Sequence, residues 1–325
     1  MSTHRRGLFA GSAAIATAMA LPAAAQNAPA AAAPPAQAQA PGFYRFKVGN
    51  LTVTTVHDGF FRRPVEGFVR NAPVAEVQEV LRDSFMPTDT LTVPFTLTFV
   101  ETPRGLVVFD AGTGGQMAPT AGQMGANLRA AGLDPAQVRA VVVSHFHGDH
   151  ITGLTTAQNE PAFPQAEIFV PAAEWAWWTD EGNRSRSPEG QRGTFENTAR
   201  RFAPYRDRIR QVQDRAEVLP GIRAIAAHGH TPGHTCYHVS DGDAQMIFLA
   251  DITNRPEIMM PRPDWQIVFD FDPEAAAQSR RRMLDRVATD RIRVTGYHFP
   301  FPANGHVARQ GQGFRFVAAD WTTAL

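Results

Sequence analysis

The feature that most constrains this chain is a rhythm of short apolar runs, each stopping at a histidine or an aspartate. Val141-Val142-Val143 leads into Ser144-His145-Phe146-His147-Gly148-Asp149-His150; residues 222–226 lead to His228, His230 and His234, residues 246–249 to Asp251, and residues 292–295 to His298. Such runs, bounded by polar residues, read as strands buried on both faces. Polar groups delivered at the ends of several strands gather at one edge of a sheet, where α/β proteins commonly place ligands. Residues 51–56 alternate as a half-buried strand, residues 106–109, 168–170 and 236–239 add further strands, and Asp241-Gly242 marks a hairpin turn. Asp134-Pro135 has the form of a helix start, and residues 273–288 read as a helix. Strands and helices alternate in both halves, so the expected class is α/β.

His145 and His147 stand two apart in an extended segment and face the same way, with Asp149 and His150 just beyond. Three histidines and an aspartate within six residues are hard to explain by packing. Nitrogen and carboxylate ligands without a thiolate suit Zn²⁺, with Mn²⁺, Co²⁺ or Fe²⁺ as substitutes. The single cysteine, Cys236, rules out an intramolecular disulfide and reads as a buried thiol. Lys plus Arg and Asp plus Glu balance at 31 each, so no basic field exists to hold nucleic acid. The expected partner is therefore a small molecule.

Specificity should come from aromatic walls. Trp175, Trp177 and Trp178 crowd four positions, and on a helix Trp175 and Trp178 share a face. Phe299 and Phe301 flank the His298 motif as further wall candidates. An aromatic, uncharged pocket fits neutral hydrophobic esters, lactones or phosphotriesters. Residues 181–192, polar and punctuated by Pro and Gly, are expected to form a loop at its mouth. His57-Asp58-Gly59 reads as a turn at the edge of the site, and His228 and His238 as structural.

The N-terminus is an address. Arg5-Arg6, an apolar stretch of roughly a dozen residues and Ala23-Ala24-Ala25 make an export signal over residues 1–25, implying a periplasmic or secreted protein. Arg5-Arg6 before Leu8-Phe9 favours the twin-arginine route over an ordinary secretory signal. The stretch is too short for a membrane span, and residues 26–41, rich in Ala and Pro, read as a disordered linker before a single domain at 42–325.

The His-x-His-x-Asp-His segment at 145–150 resembles the signature of the metallo-β-lactamase superfamily. Gly229-His230-Thr231-Pro232-Gly233-His234-Thr235, Leu249-Ala250-Asp251 and Gly296-Tyr297-His298 are similar to its later motifs, in order. Within it the chain resembles the methyl parathion hydrolase and lactonase branch, through Pro41-Gly42-Phe43-Tyr44-Arg45, Val218-Leu219-Pro220-Gly221-Ile222 and Tyr297-His298-Phe299-Pro300-Phe301-Pro302. The resemblance implies an αββα sandwich, two mixed β-sheets flanked by helices. It implies two divalent ions, most simply Zn²⁺, with His145, His147 and His234 on one, Asp149, His150 and His298 on the other, and Asp251 bridging. Asp149 and Asp251 would then stand at the catalytic centre, with a hydroxide between the ions as nucleophile.

The same resemblance places Asp110 and His230 behind the ligands as orienting groups, makes Trp178 and Phe195 pocket residues and, through dimeric relatives, implies a homodimer. The implied activity is hydrolysis of lactones or aryl esters, extending to organophosphate triesters. Asp251, where the commonest β-lactamases of the superfamily carry cysteine, disfavours the alternative of β-lactam hydrolysis. His147, where redox members carry glutamate, favours hydrolysis. A non-catalytic metal-binding protein is the rival of a different class.

Overall fold

The apolar runs become the inner strands of two seven-stranded sheets packed face to face. The computed structural model describes residues 39–325; the expected export signal and nearly all of the expected linker lie outside the described residues. The first sheet is laid down in chain order: β1 (Phe43–Val48), β2 (Leu51–Pro64), β3 (Thr90–Thr102), β4 (Gly105–Phe109), β5 (Val138–Val142), β6 (Glu167–Pro171) and β7 (Ile209–Val212). β1 to β4 pair antiparallel and β4 to β7 parallel. The second sheet runs β8 (Glu217–Leu219), β9 (Ile222–Ala226), β10 (Thr235–Asp241), β11 (Ala244–Phe248), β12 (Arg293–Thr295), β13 (Asn304–Gln310) and β14 (Gly313–Ala318). There only β11 and β12 are parallel, joined by a crossover that contains α7 (Pro256–Met259) and α8 (Pro273–Thr289).

Period-two alternation decides which side chains meet. In β10 and β11, Tyr237, Val239, Met246 and Phe248 point into the sandwich, while Cys236, Ile247 and Leu249 face Met283, Leu284 and Val287 of α8. Phe109 from the first sheet stacks on Tyr237 and Phe248 from the second, with ring centroids 5.5 and 5.0 Å apart. Helices α1 (Val74–Asp83), α2 (Met124–Ala130), α3 (Gly148–Ile151), α4 (Ala172–Trp178), α5 (Glu181–Arg186) and α6 (Glu189–Phe202) complete the set. Leu128 of α2, Trp178 of α4 and Phe202 of α6 join the core from the first sheet's side. The αββα sandwich implied by the resemblance is the fold observed.

Three differences from the sequence reading have simple causes. Asp134 does cap a helix start, accepting from the Ala136 N–H at 2.9 Å, but the helix is a single 3₁₀ turn at Pro135–Gln137. Residues 181–192, expected as a mouth loop, are mostly helical: Asp180 caps α5 by accepting from the Asn183 N–H at 2.6 Å, and α6 starts at Glu189. The half-buried strand at 51–56 runs on to Pro64, because β3 pairs with it along its whole length. A bulge between His57 and Gly59 bends this ribbon. Gly59 has φ 124°, and a Cβ there would lie 2.2 Å from the Thr120 carbonyl oxygen, so only glycine fits. No helix among the described residues is long and apolar enough to cross a membrane.

Candidate metal centre

β4 and β5 are parallel neighbours, so the residues that follow them emerge side by side. Asp110, with φ 62°, is held in the left-handed region, and its carboxylate accepts from Ser144 N–H at 2.7 Å and Ser144 Oγ at 2.8 Å. It also reaches His150 Nδ1 at 2.8 Å. The chain bends at Ser144, His147 is extended (φ −63°, ψ 153°), and α3 begins immediately after it, which puts Asp149 and His150 in its first turn. His145 Nε2 and His147 Nδ1 lie 3.1 Å apart. The loop is strapped to the second sheet by Thr235 N–H on the Ser144 carbonyl at 3.0 Å and by Tyr237 Oη on the Val143 carbonyl at 2.7 Å.

The second sheet supplies the facing groups from three strand ends. His230 follows β9, Asp251 follows β11 and His298 follows β12. Asp251 Oδ2 lies 2.9 Å from His298 Nε2 and 3.4 Å from His230 Nε2, and its Oδ1 lies 3.4 Å from His150 Nε2. Asp149 Oδ2 sits 3.4 Å from both His150 Nε2 and His298 Nε2. Three ligand-atom groups, each within 4.8 Å, therefore share one site: His145, His147 and His230; His145, His150 and Asp251; Asp149, His150 and His298. His150 Nε2, His230 Nε2 and Asp251 Oδ1 are buried without a hydrogen-bond partner.

Outer contacts aim these rings. His230 Nδ1 meets Asp270 Oδ1 at 2.9 Å, and Asp270 Oδ2 meets buried Arg280 at 3.3 Å. His298 Nδ1 donates to the Pro94 carbonyl at 2.8 Å. With each Nδ1 engaged, Nε2 is left facing inward. Arg280 also donates to the Ile252 carbonyl at 2.6 Å, which fixes the residue after Asp251. Ala250, just before Asp251, carries φ 46°, a second strained position at the site.

The two motif histidines exchange places relative to the sequence expectation. His234 does not face the cluster with a free nitrogen: its Nδ1 meets the Ala227 carbonyl at 3.1 Å, and its Nε2 accepts from Asp251 N–H at 3.1 Å. His230, expected behind the ligands, stands in front, lining the cleft with an unpaired Nε2. The signal that separates them is the geometry of the glycine-bearing loop, in which a four-residue step does not keep one face as it would on a helix.

Electrostatics follow from burial and charge. Burial holds His145 and His234 well below the ordinary imidazole value, and burial together with neighbouring His230 lowers His147 to about 3. Burial also opposes charge on His230, but the nearby Asp251 carboxylate, 3.4 Å from Nε2, and the Asp270 carboxylate bonded to Nδ1 overcome it and raise the ring to about 9. His150 is raised well above its usual value, against burial, by Asp149, Asp251 and Asp110. Burial alone would raise Asp149, yet His150 and His298 bring it down to about 2.

Above this floor lies a cleft of about 370 Å³. His147, Asp149, His230, Asp251 and His298 form its base, and Phe61, Phe95, Met117 and Phe269 form apolar walls. The expected wall residues are elsewhere. Trp178 and Phe195 pack on each other at 4.8 Å in the first core, and Phe299 is buried under α8 against Phe316 at 5.0 Å. Trp178 and Phe299 are consumed by packing, while the actual walls come from the β2–β3 ribbon and from loops, none adjacent in sequence to a histidine motif. His57 and His238 lie off this floor: His57 sits at the bulge with its ring 5.8 Å from Phe301, and His238 meets Gln245 at 2.9 Å.

The sequence matches the family model described as the metallo-beta-lactamase superfamily over residues 96–293. Among solved structures it resembles AidC, a dizinc quorum-quenching lactonase in complex with a product, N-hexanoyl-L-homoserine, at 25% identity and TM-score 0.82, covering 87% of this chain and 99% of that one. It also resembles the hydrolase AbOPH in the beta lactamase superfamily, at 24% identity and TM-score 0.83, covering 88% and 100%. A quorum-quenching N-acyl homoserine lactone lactonase aligns at 18% identity and TM-score 0.56, covering 78% and 97%. No curated protein matches the sequence.

Proposed function

Because the chain belongs to the metallo-β-lactamase superfamily and is a metal-dependent hydrolase, we propose that it hydrolyses neutral lactones and aryl esters with a pair of divalent ions, most simply zinc. His145, His147 and His230 would hold one ion and Asp149, His150 and His298 the other, with Asp251 between them. His230 takes the place that sequence motifs had suggested for His234. The donor set fits the group: nitrogen and carboxylate ligands are those zinc takes. Unpaired buried Nε2 atoms on His150 and His230 would each cost about 1–3 kcal/mol without a partner, and a coordinated cation removes that penalty. Divalent ions held by these residues would supply a water of lowered pKa and fixed positive charge opposite an anionic transition state.

The chain's own residues do the rest. Asp110, Asp270 and the Pro94 carbonyl hold His150, His230 and His298 in one orientation, so no reorganisation is needed when substrate arrives. Phe61, Phe95, Met117 and Phe269 take the apolar acyl or aryl group and keep water from its flank. Each fully buried apolar group there is worth about 1.5–3 kcal/mol of binding. These walls carry no charge, which favours a neutral substrate over a phosphodiester. The lactonase described for AidC supports placing lactones first.

The observation that carries this reading is the apolar cleft opening directly on the histidine and aspartate floor. The test is kcat/KM of zinc-replete protein for a long-chain acyl-homoserine lactone and for methyl parathion in one buffer. A preference for the lactone is expected. A large preference for methyl parathion would reverse the order, and no turnover of either by metal-replete protein would overturn the proposed substrate class.

A further inference from the structure

Beneath the histidines lies a carboxylate that the proposed chemistry does not use. Glu174 of α4 is fully buried and accepts four hydrogen bonds, two on each oxygen. Oε1 accepts from the Phe146 N–H at 2.9 Å and from the Trp178 indole N–H at 2.8 Å. Oε2 accepts from the Thr231 hydroxyl at 2.9 Å and from the Gly233 N–H at 2.6 Å. Phe146 is the residue between His145 and His147, Thr231 follows His230, and Gly233 precedes His234. One oxygen thus holds the loop from the first sheet and the other holds the loop from the second. The approach is tight: a Cβ on Gly233 would stand 2.1 Å from the Glu174 backbone nitrogen, so glycine is what lets that loop reach α4.

We propose that Glu174 is a positioning residue, a buried carboxylate bracket that sets His145 and His147 against His230 and so fixes the geometry of the ion they hold. The inference rests on the metal reading above and is independent of the substrate. Only an ionised carboxylate offers acceptors alone to four donors. Glutamine has the same shape but must turn its NH₂ toward one of the two donor pairs. The Thr231 hydroxyl can rotate to accept; the peptide N–H groups of Phe146 and Gly233 and the indole N–H of Trp178 cannot. Either orientation leaves a donor facing a donor in a buried place, and the loop that loses its bond drifts from its partner.

The test uses the full chain loaded with Co²⁺, reading the visible d–d spectrum and the rate of cobalt loss to EDTA. Glu174→Gln is expected to change the spectrum and to release cobalt about 10- to 100-fold faster. Thr231→Val, which removes one donor from Oε2 alone, should move both readouts the same way by less. Leu128→Ala in α2, a buried core truncation packed on β1 and β2, should lower Tm and leave both readouts at wild-type values. A Glu174→Gln protein with the wild-type spectrum and release rate overturns the bracket, whatever its Tm. Should that variant fail to fold, unchanged readouts in Thr231→Val overturn it instead. Wild-type protein that takes up no cobalt would overturn the metal reading itself, and does so before any variant is compared.

Discussion

The two halves of the sandwich furnish the site in different ways. The first sheet contributes His145, His147, Asp149 and His150 from one loop after β5, in which an extended His147 leads straight into a helical turn. The second contributes His230, Asp251 and His298 from three separate strand ends, brought together by the order β12-β11-β10-β9. A local device can be recognised from spacing alone. A distributed one names its strands in the sequence but not which side chain on each loop faces the partner sheet, and the exchange of His230 for His234 is that difference made concrete.

The comparison can be broken most directly at its junction. Asp251→Ala removes the carboxylate that touches groups from both halves, and metal content and kcat/KM should fall together; losing several kcal/mol of charge stabilisation is on the order of 10³-fold in rate. Full turnover with one metal per chain would refute the bridging role. Next in size is the pair that separates the two motif histidines. His230→Ala should lose most bound metal, whereas His234→Ala, which removes a ring held by the Ala227 carbonyl and the Asp251 N–H, should cost about 10- to 100-fold in metal affinity or activity. Metal analysis of both variants decides it, and equal loss in the reverse order would restore His234 as the ligand.

Smaller effects belong to the walls. Phe61→Ala should reduce kcat/KM for long acyl chains more than for short ones, by about 10-fold, and an unchanged chain-length profile would remove Phe61 from the substrate path. Smallest is Cys236, where burial pushes the thiol well above its ordinary value and Sγ lies 3.2 Å from the Leu249 carbonyl. Native protein should resist a thiol reagent that labels it promptly once unfolded, and Cys236→Ala should keep kcat.

Much of the fold was legible because strands buried on both faces leave uninterrupted apolar runs, as at Val141-Val142-Val143 and in β11. Boundaries were less so. β2 runs on past the alternating stretch because pairing with β3 stabilises Phe60 to Pro64, residues whose own pattern is weak. The segment from Glu181 to Arg192 reads as a loop by composition, yet the Asp180 cap and packing of Phe195 and Phe202 make it helical. Aromatic clustering misled in the same way: Trp178 sits at helical spacing from Glu174 and spends its indole N–H there, so its ring belongs to the core and not to the cleft.

What the sequence by itself determined is the chemistry of the donors and the sheet edge to which they are delivered, since both depend on residue type and on periods of two and 3.6. Which nitrogen faces inward, which aromatic rings wall the cleft and how Glu174 binds two loops at once were decided only by tertiary structure. Those outcomes depend on hydrogen bonds and contacts between segments far apart in the chain, such as Glu174 with Gly233 and His298 with Pro94, and no local spacing encodes them.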